Sequence, residues 1–191
     1  NLKRAGYDAL VITGKAEAPT WIEIKDDEVQ FHDASSLMGK TTSQTQEAIE
    51  GKAGKLVIGP AGENLVRYAG VFSEERTAGR AGMGAVMGSK NLKAITATGT
   101  HKAKPYNEER TKKINKKWIA LLKKHPITGD ALPKYGSGFL LRRMQKHNLL
   151  ATHNFKHGTY KDFDMISGQT LAEKHLIKNV GCVTCPIHCG R

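Results

Sequence analysis

All three cysteines of this chain fall within eleven residues, Gly181 to Arg191. Their spacing is Cys182-x2-Cys185-x3-Cys189, and it can bring three thiolates to one centre only where the backbone turns tightly. Gly181, Pro186 and Gly190 permit such turns. Four thiolates are the usual ligand set of a cubane iron–sulfur cluster. This segment offers three, and the chain has no other cysteine. Zinc with His188 as fourth ligand is a second reading, because structural zinc takes Cys3His sets. His188 stands directly beside Cys189, however, and sequence neighbours seldom aim at one metal. Disulfides fit less well, since an odd count leaves one thiol over and nothing else suggests secretion. The favoured reading is an iron–sulfur cluster with its fourth ligand supplied from elsewhere.

A length of 191 residues suffices for one or two domains with a real core. The chain opens on Asn1 and closes two residues past the last cysteine, which reads as an internal piece of a longer protein. No run of about 18 apolar residues exists, so no membrane span is expected. Reduced, clustered cysteines suit a cytoplasmic setting. The formal charge of +12 is concentrated between Lys102 and Lys124. Such a stretch attracts phosphates, or simply forms a basic surface balanced by acidic segments elsewhere.

Read in order, the apolar run Ala9 to Ile12 followed by Gly14 predicts a strand buried on both faces. Thr20–Lys25 and Glu28–His32 flank Asp26-Asp27 and predict a hairpin, although its turn lacks the usual glycine. Thr42-Ser43 ahead of Gln46-Glu47 predicts a capping box and a short helix. Lys55 to Gly59 predicts another buried strand, ending in the tight turn Gly59-Pro60-Ala61-Gly62-Glu63.

The second chemical stretch runs from Gly79 to Lys90 and carries four glycines, Gly79, Gly82, Gly84 and Gly88. Glycine-rich backbone lets amides approach a phosphate, and Arg80 and Lys90 add positive charge. Ser89-Lys90 is inverted relative to a Walker A loop. Gly82-x-Gly84-x3-Gly88 resembles a nicotinamide-dinucleotide fingerprint, which should follow a buried strand and open a helix. The upstream residues Ser73 to Thr77 are polar and make a poor strand, and close packing of the loop is the competing explanation of the glycines. Leu92 to Ala97 predicts the next strand.

Beyond Gly99 the composition shifts. Thr100 to Pro105 is linker-like, and Asn107 caps a helix from Glu108 to His125 in which Ile114, Trp118, Leu121 and Leu122 recur at helical spacing. Pro126 terminates it, Pro133 to Gly138 reads as a turn, and Phe139 to Leu150 as a second amphipathic helix. Thr152 to Gly168 is polar and irregular, and a short helix through Leu171 leads into the cysteines. No Ser-His-Asp set or convincing carboxylate pair is present, so the catalytic acid and base are unknown from these residues.

The glycine loop and the cysteine segment, in this order, resemble the aldehyde:ferredoxin oxidoreductase family of tungsten-pterin enzymes. Lys3 to Ala16, Ile58 to Asn64, Gly79 to Ile95, Leu132 to Gly136 and Asn154-Phe155 also fit that family, so the resemblance covers nearly the whole chain. It implies an α+β fold. Residues 1–104 would be the C-terminal part of a two-sheet pterin-binding N-terminal domain, and 105–191 the start of a mostly α-helical domain, ending in the iron–sulfur motif. It implies tungsten, or occasionally molybdenum, held between two pterin dithiolenes, magnesium at the pterin phosphates and a [4Fe–4S] cluster beside one pterin. On that pattern Arg80, Ala81, Gly82, Met83 and Gly84 would line a pterin phosphate, with the Ala81 carbonyl near magnesium. Cys182, Cys185 and Cys189 would hold three irons.

The activity implied is oxidation of an aldehyde to a carboxylic acid, with electrons passed through the cluster to a ferredoxin-type carrier. The acid/base residues and the fourth cluster ligand are expected outside this sequence. Reduction of an aromatic acyl thioester on the same scaffold is the alternative. The partners expected are the electron carrier, a small aldehyde and a homo- or hetero-oligomeric mate, with no nucleic acid. A zinc- or cluster-bearing nucleic-acid module would rest on the basic helix alone, where Trp118 is the one aromatic for stacking. A nicotinamide dehydrogenase would need an acidic residue about 20 positions past the loop. The nearest candidate, Glu108, lies beyond the linker.

Overall fold

The computed structural model describes residues 1–102 and 104–191. Ala103, inside the linker-like stretch, lies outside them. The chain divides into two compact units, Asn1–Lys104 and Pro105–Arg191.

The first unit is built on one six-stranded sheet, where the family resemblance implies two; the α+β class holds. The strands are β1 (Thr20–Lys25), β2 (Glu28–Asp33), β3 (Gly54–Val57), β4 (Val71–Ser73), β5 (Arg76–Ala78) and β6 (Leu92–Thr98), in the spatial order β2-β1-β6-β3-β4-β5. β1 and β6 are parallel, and every other neighbouring pair is antiparallel. The β1–β2 hairpin forms as its β-branched and aromatic residues predict. Its turn manages without glycine because Asp26 takes a left-handed φ of 48°, which a short polar side chain tolerates. The Asp26 carboxylate then accepts the Thr100 N–H at 2.7 Å.

Side chains alternate across the sheet, so the two faces build two cores. One face joins Ile22, Ile24, Ile58, Val71, Met87, Leu92 and Ala97. The other joins Ala34, Leu37, Ile49, Val57 and Ala94, with Trp21 and Phe72 at its edge.

Among the described residues three α-helices, α1 (Thr42–Ala48), α2 (Pro60–Glu63) and α3 (Met83–Ser89), and two 3-10 turns, Leu2–Ala5 and Ser35–Leu37, complete the unit. The capping box of α1 stands earlier than the sequence reading placed it. Thr41 is the N-cap, its hydroxyl accepts the Gln44 N–H, and the Gln44 amide oxygen accepts the Thr41 N–H at 3.0 Å. Lys55 Nζ donates to the Gln46 carbonyl at 2.7 Å, satisfying an orphan acceptor at the C-terminal end of α1.

Two strand expectations are corrected. Residues 9–13 are not a strand: they are irregular, Val11 is exposed, and Ile12 packs as a cover over the first core. A short apolar run signals a need for burial, not an available strand edge. Conversely, the polar stretch Ser73 to Thr77 does pair, as the β4–β5 hairpin at the sheet margin. Edge strands need little apolar content because water satisfies their open side.

In the second unit α4 spans Glu108–Lys124. Asn107 caps it by accepting the Arg110 N–H at 2.8 Å, and Glu108, Glu109, Lys123 and Lys124 complement its dipole. Its apolar stripe of Ile114, Trp118 and Leu121 is exposed. A π-helical turn (Ile127–Ala131) follows Pro126. The expected turn at Pro133 to Gly138 is helical instead, as α5 (Leu132–Tyr135) and a 3-10 turn (Gly136–Phe139). The following helix is shorter than its periodicity implied, α6 covering Leu140–Lys146. A 3-10 turn (Phe163–Ile166) precedes α7 (Gly168–Lys174), capped by the buried Ser167. Gly138 and Gly168 bring α7 against the turn after α5, since a Cβ on Gly168 would stand 2.3 Å from the Tyr135 carbonyl oxygen. Among the described residues no helix is long and apolar enough to cross a membrane.

Candidate functional site

The glycine stretch leaves β5 at Ala78, turns through two successive left-handed residues, and enters α3. Ala81 has φ 63° and Gly82 has φ 66°. Gly82 is the N-cap and offers no side-chain cap, so the first turn of α3 keeps backbone donors that no side chain satisfies. Arg80 and Met83 are exposed beside it.

The four glycines do different work. A Cβ on Gly88 would lie 1.9 Å from the Gly62 carbonyl oxygen, and one on Gly84 would lie 2.5 Å from the Gly70 carbonyl oxygen. These two, four residues apart on one face of α3, allow its backbone to press against α2 and residues 69–70. The Gly84 N–H also donates to the Ala69 carbonyl at 2.8 Å, so Gly84 contributes clearance rather than a free donor. Gly82 is tight as well, with Arg67 O at 2.3 Å from its Cβ position, whereas Gly79 meets only the Thr77 side chain, at 3.7 Å. Lys90 is committed too: its ammonium donates to Gly14 O at 2.9 Å. Of the residues expected to line a phosphate, Arg80, Ala81 and Met83 are exposed, Gly82 is buried at the helix entry, and the Gly84 N–H is taken up by Ala69. An uncapped, left-handed helix entry with an exposed guanidinium fits a phosphate.

Behind this loop lies a pair that sequence reasoning missed. Lys93 has a fully buried side chain, whose ammonium pairs with Glu63 Oε1 and donates to the Lys40 carbonyl at 3.0 Å. The other oxygen of Glu63 accepts the Gly39 N–H at 2.9 Å. The cause is a register shift between β1 and β6: Thr20 faces Leu92 and Trp21 faces Ala94, which leaves Lys93 as an extra residue. A bulge re-aims the side chain it carries. A lysine inside the apolar run Leu92 to Ala97 was the available signal. Glu63 adjoins Gly62, the residue on which α3 packs, so the ion pair fixes the floor beneath the glycine loop.

A 360 Å³ cleft lined by Ile12, Ile22, Phe31 and Leu92 opens on the first sheet face. Lys15 and Lys90 are its charged lining groups, so it brings no acid/base pair together.

The cysteine segment is a loop closed at its base. Val180 and Gly190 exchange both backbone hydrogen bonds, at 2.9 and 2.8 Å. Inside, the Cys185 N–H donates to Cys182 O at 3.0 Å, and Thr184 and His188 take left-handed φ values of 62° and 53°. All three thiols are free, with Cys182 and Cys189 exposed and Cys185 half-buried. The His188 ring lies against Gly181, with Nδ1 2.9 Å from the position a Gly181 Cβ would occupy. Among the described residues no three His, Cys, Asp or Glu side chains converge as ligands of a single metal ion. The donor set, three unpaired thiols on one closed loop, suits iron–sulfur chemistry and remains short of one ligand.

The loop is fastened from outside. The Arg191 guanidinium donates to the Asn179 side-chain oxygen, to Pro133 O at 2.8 Å and to Leu132 O at 3.2 Å. Asn179 Nδ2 reaches the same Pro133 carbonyl at 2.6 Å. Gly136, at φ 61°, makes room for the Cys189 carbonyl.

Comparison with known proteins gives a consistent result. The profile described as aldehyde ferredoxin oxidoreductase, N-terminal domain, matches residues 1–99, and that of domains 2 and 3 matches residues 113–191. A tungsten-containing aldehyde ferredoxin oxidoreductase of Pyrococcus abyssi is 43% identical over the whole chain, and one of Thermococcus kodakarensis is 42% identical. The chain spans 32% of the length of each. Among solved structures, the active site complex BamBC of benzoyl coenzyme A reductase, bound to 1,5-dienoyl-CoA, is similar at a TM-score of 0.74 and 29% identity. That match covers 98% of this chain and 31% of that one.

Proposed function

This chain belongs to the aldehyde ferredoxin oxidoreductase family, and from that premise we propose that it supplies a pterin-phosphate loop and three cluster ligands to a tungstopterin oxidoreductase. The reaction is oxidation of an aldehyde, with water, to a carboxylic acid, its two electrons leaving through a [4Fe–4S] cluster to a ferredoxin-type carrier. The observation that carries this reading is the conjunction, on one chain, of an uncapped left-handed helix entry beside Arg80 and a preclosed loop of three free thiols.

Bound tungsten–pterin would supply the two-electron chemistry, with molybdenum as the substitute metal and magnesium at the pterin phosphates. The chain's own residues bind and orient. Arg80 places a fixed positive charge for the phosphate, the backbone at Ala81 and Gly82 offers its carbonyl and amide at close range, and Met83 covers the entry. Gly84 holds the helix down on Ala69 so that this entry keeps its shape. Cys182, Cys185 and Cys189 would present thiolates from one loop, whose base is closed by the paired Val180 and Gly190 backbone hydrogen bonds.

Reduction of an aromatic acyl thioester is the second reading, and the likeness to the benzoyl coenzyme A reductase complex motivates it. The higher identity to the aldehyde enzymes favours the first. The test is metal and pterin content of the full-length, anaerobically purified enzyme. About one tungsten and about four irons per chain are expected. Arg80→Ala should lower tungsten and pterin with iron retained, and Cys185→Ser the reverse. Wild-type tungsten in Arg80→Ala would remove the phosphate role of that loop.

A further inference from the structure

A buried ion pair is a weak stabiliser, because well-packed apolar residues of similar volume often serve a core as well or better. The Lys93–Glu63 pair therefore calls for a reason besides stability, and its geometry supplies one. Lys93 meets Glu63 and donates to Lys40 O at 3.0 Å, while the other Glu63 oxygen accepts the Gly39 N–H at 2.9 Å. The backbone carbonyl of the same Lys93 accepts the Ile58 N–H at 3.0 Å. One bulged residue of β6 thus holds both ends of the segment Ile58 to Glu63, the backbone at one end and the carboxylate at the other. That segment contains α2, a single turn of four residues, too short to keep its place by its own hydrogen bonds. Yet α3 rests on it. A Cβ on Gly62 would stand 2.9 Å from both Ile58 Cβ and the Gly84 carbonyl oxygen, so Gly62 is clasped between the end of β3 and α3. A Cβ on Gly88 would stand 3.3 Å from the Glu63 backbone nitrogen. The carboxylate that Lys93 holds belongs to a residue whose backbone borders α3.

We propose that Lys93 and Glu63 form a positioning pair for the cofactor: by pinning α2 they fix where α3 presents the loop Arg80 to Met83 to the pterin phosphate. The proposal deepens the phosphate-loop reading given above and rests on it. Neither side chain belongs to the loop, and both act through α2. A charged pair suits this task because it is directional. The two oxygens of Glu63 have separate donors, Lys93 Nζ and the Gly39 N–H, so the carboxylate has one orientation. Apolar side chains of the right volume fill a core before they specify a single arrangement. The seat matters to the ligand because hydrogen bonds weaken steeply outside a narrow range, and a displacement of about 1 Å at a supporting residue can cost about a hundredfold in function. On this account the pair contributes to cofactor retention beyond its contribution to folding.

The test follows tungsten and pterin per chain with time in the full-length, anaerobically purified holoenzyme, at a temperature where every variant compared stays folded. Lys93→Met and Glu63→Gln each lose the cofactor at least about fivefold faster than wild type, with iron retained. The double variant loses it within about twofold of the faster single variant, since both changes break the same tie. Ile49→Ala opens a cavity in the second core, outside α2, α3 and β6, and controls for lowered stability. Its melting temperature falls while its cofactor loss stays at the wild-type rate. A smaller acceleration in Lys93→Met, an equal acceleration in Ile49→Ala, or a double variant at the product of the two single effects overturns the proposal. Should Lys93→Met not accumulate as folded protein, Glu63→Gln decides against the same control. Arg80→Ala separates the two levels. Cofactor lost from Arg80→Ala but kept by the Lys93 and Glu63 variants removes the positioning pair alone. Cofactor kept by Arg80→Ala at the wild-type rate removes the phosphate-loop reading, and the pair's role with it.

Discussion

Replacing Lys93 with methionine tests the floor of the glycine loop. Methionine keeps most of the stem volume, so the change removes the ammonium and little packing. It strips a donor from two acceptors at once, Glu63 Oε1 and Lys40 O. The Lys93 side chain is 0% exposed and that of Glu63 10%, so water cannot replace what is lost. Removing one partner of a buried ion pair costs about 3–5 kcal/mol. At a urea slope of about 2 kcal/mol/M, that is a fall of about 2 M in the unfolding midpoint of the first unit. Glu63→Gln in the same background removes the stranded carboxylate while keeping an oxygen for the Gly39 N–H. The double variant should therefore be less destabilised than the two single losses added, with a coupling of about 1–3 kcal/mol. Urea unfolding followed by Trp21 fluorescence, with Trp118 replaced by phenylalanine, reads this unit. A loss below about 1 kcal/mol in Lys93→Met, or simple additivity in the cycle, would refute the account of Lys93 as a buried tie between β6 and α2.

The glycines of the loop should respond oppositely to one added methyl. Gly88→Ala forces a Cβ to 1.9 Å from Gly62 O and should destabilise by about 1–3 kcal/mol despite alanine's better helix propensity, whereas Gly79→Ala should stay within about 0.5 kcal/mol of wild type; equal melting temperatures would contradict the packing described. The hydrogen bond from Lys25 to Glu23, opposed by burial and reinforced by His32, holds the Glu23 carboxyl below its ordinary 4.5. A depressed carboxyl contributes stability that is present above 4.5 and is lost as pH falls through the lower folded value. Glu23→Gln should accordingly flatten the acid limb of the stability profile below pH 4.5 and leave stability differences constant near neutrality; an unchanged acid limb would count against the Lys25–Glu23–His32 arrangement.

What the sequence by itself determined lies within a few residues along the chain. The cap at Asn107, the hairpin around Asp26, and the grouping of Cys182, Cys185 and Cys189 all follow from interactions between near neighbours. Such contacts are written in spacing, so spacing reveals them. The motifs of the glycine loop and the cysteine run were legible for the same reason, and they were enough to indicate the family. Tertiary structure decided what lies across long separations. Ala9 to Ile12 became a cover and not a strand because it has no strand to pair with, and Ser73 to Thr77 became an edge hairpin because β3 offers it one. Gly84 and Gly88 proved to be clearance for α2 and residues 69–70. Lys93 finds Glu63 thirty residues away only because a bulge turns it inward, and Arg191 finds Leu132 across 59 residues only once the loop base has closed. A one-dimensional pattern encodes which side chains need partners; where those partners stand depends on strand register and helix approach, which exist only in the folded chain.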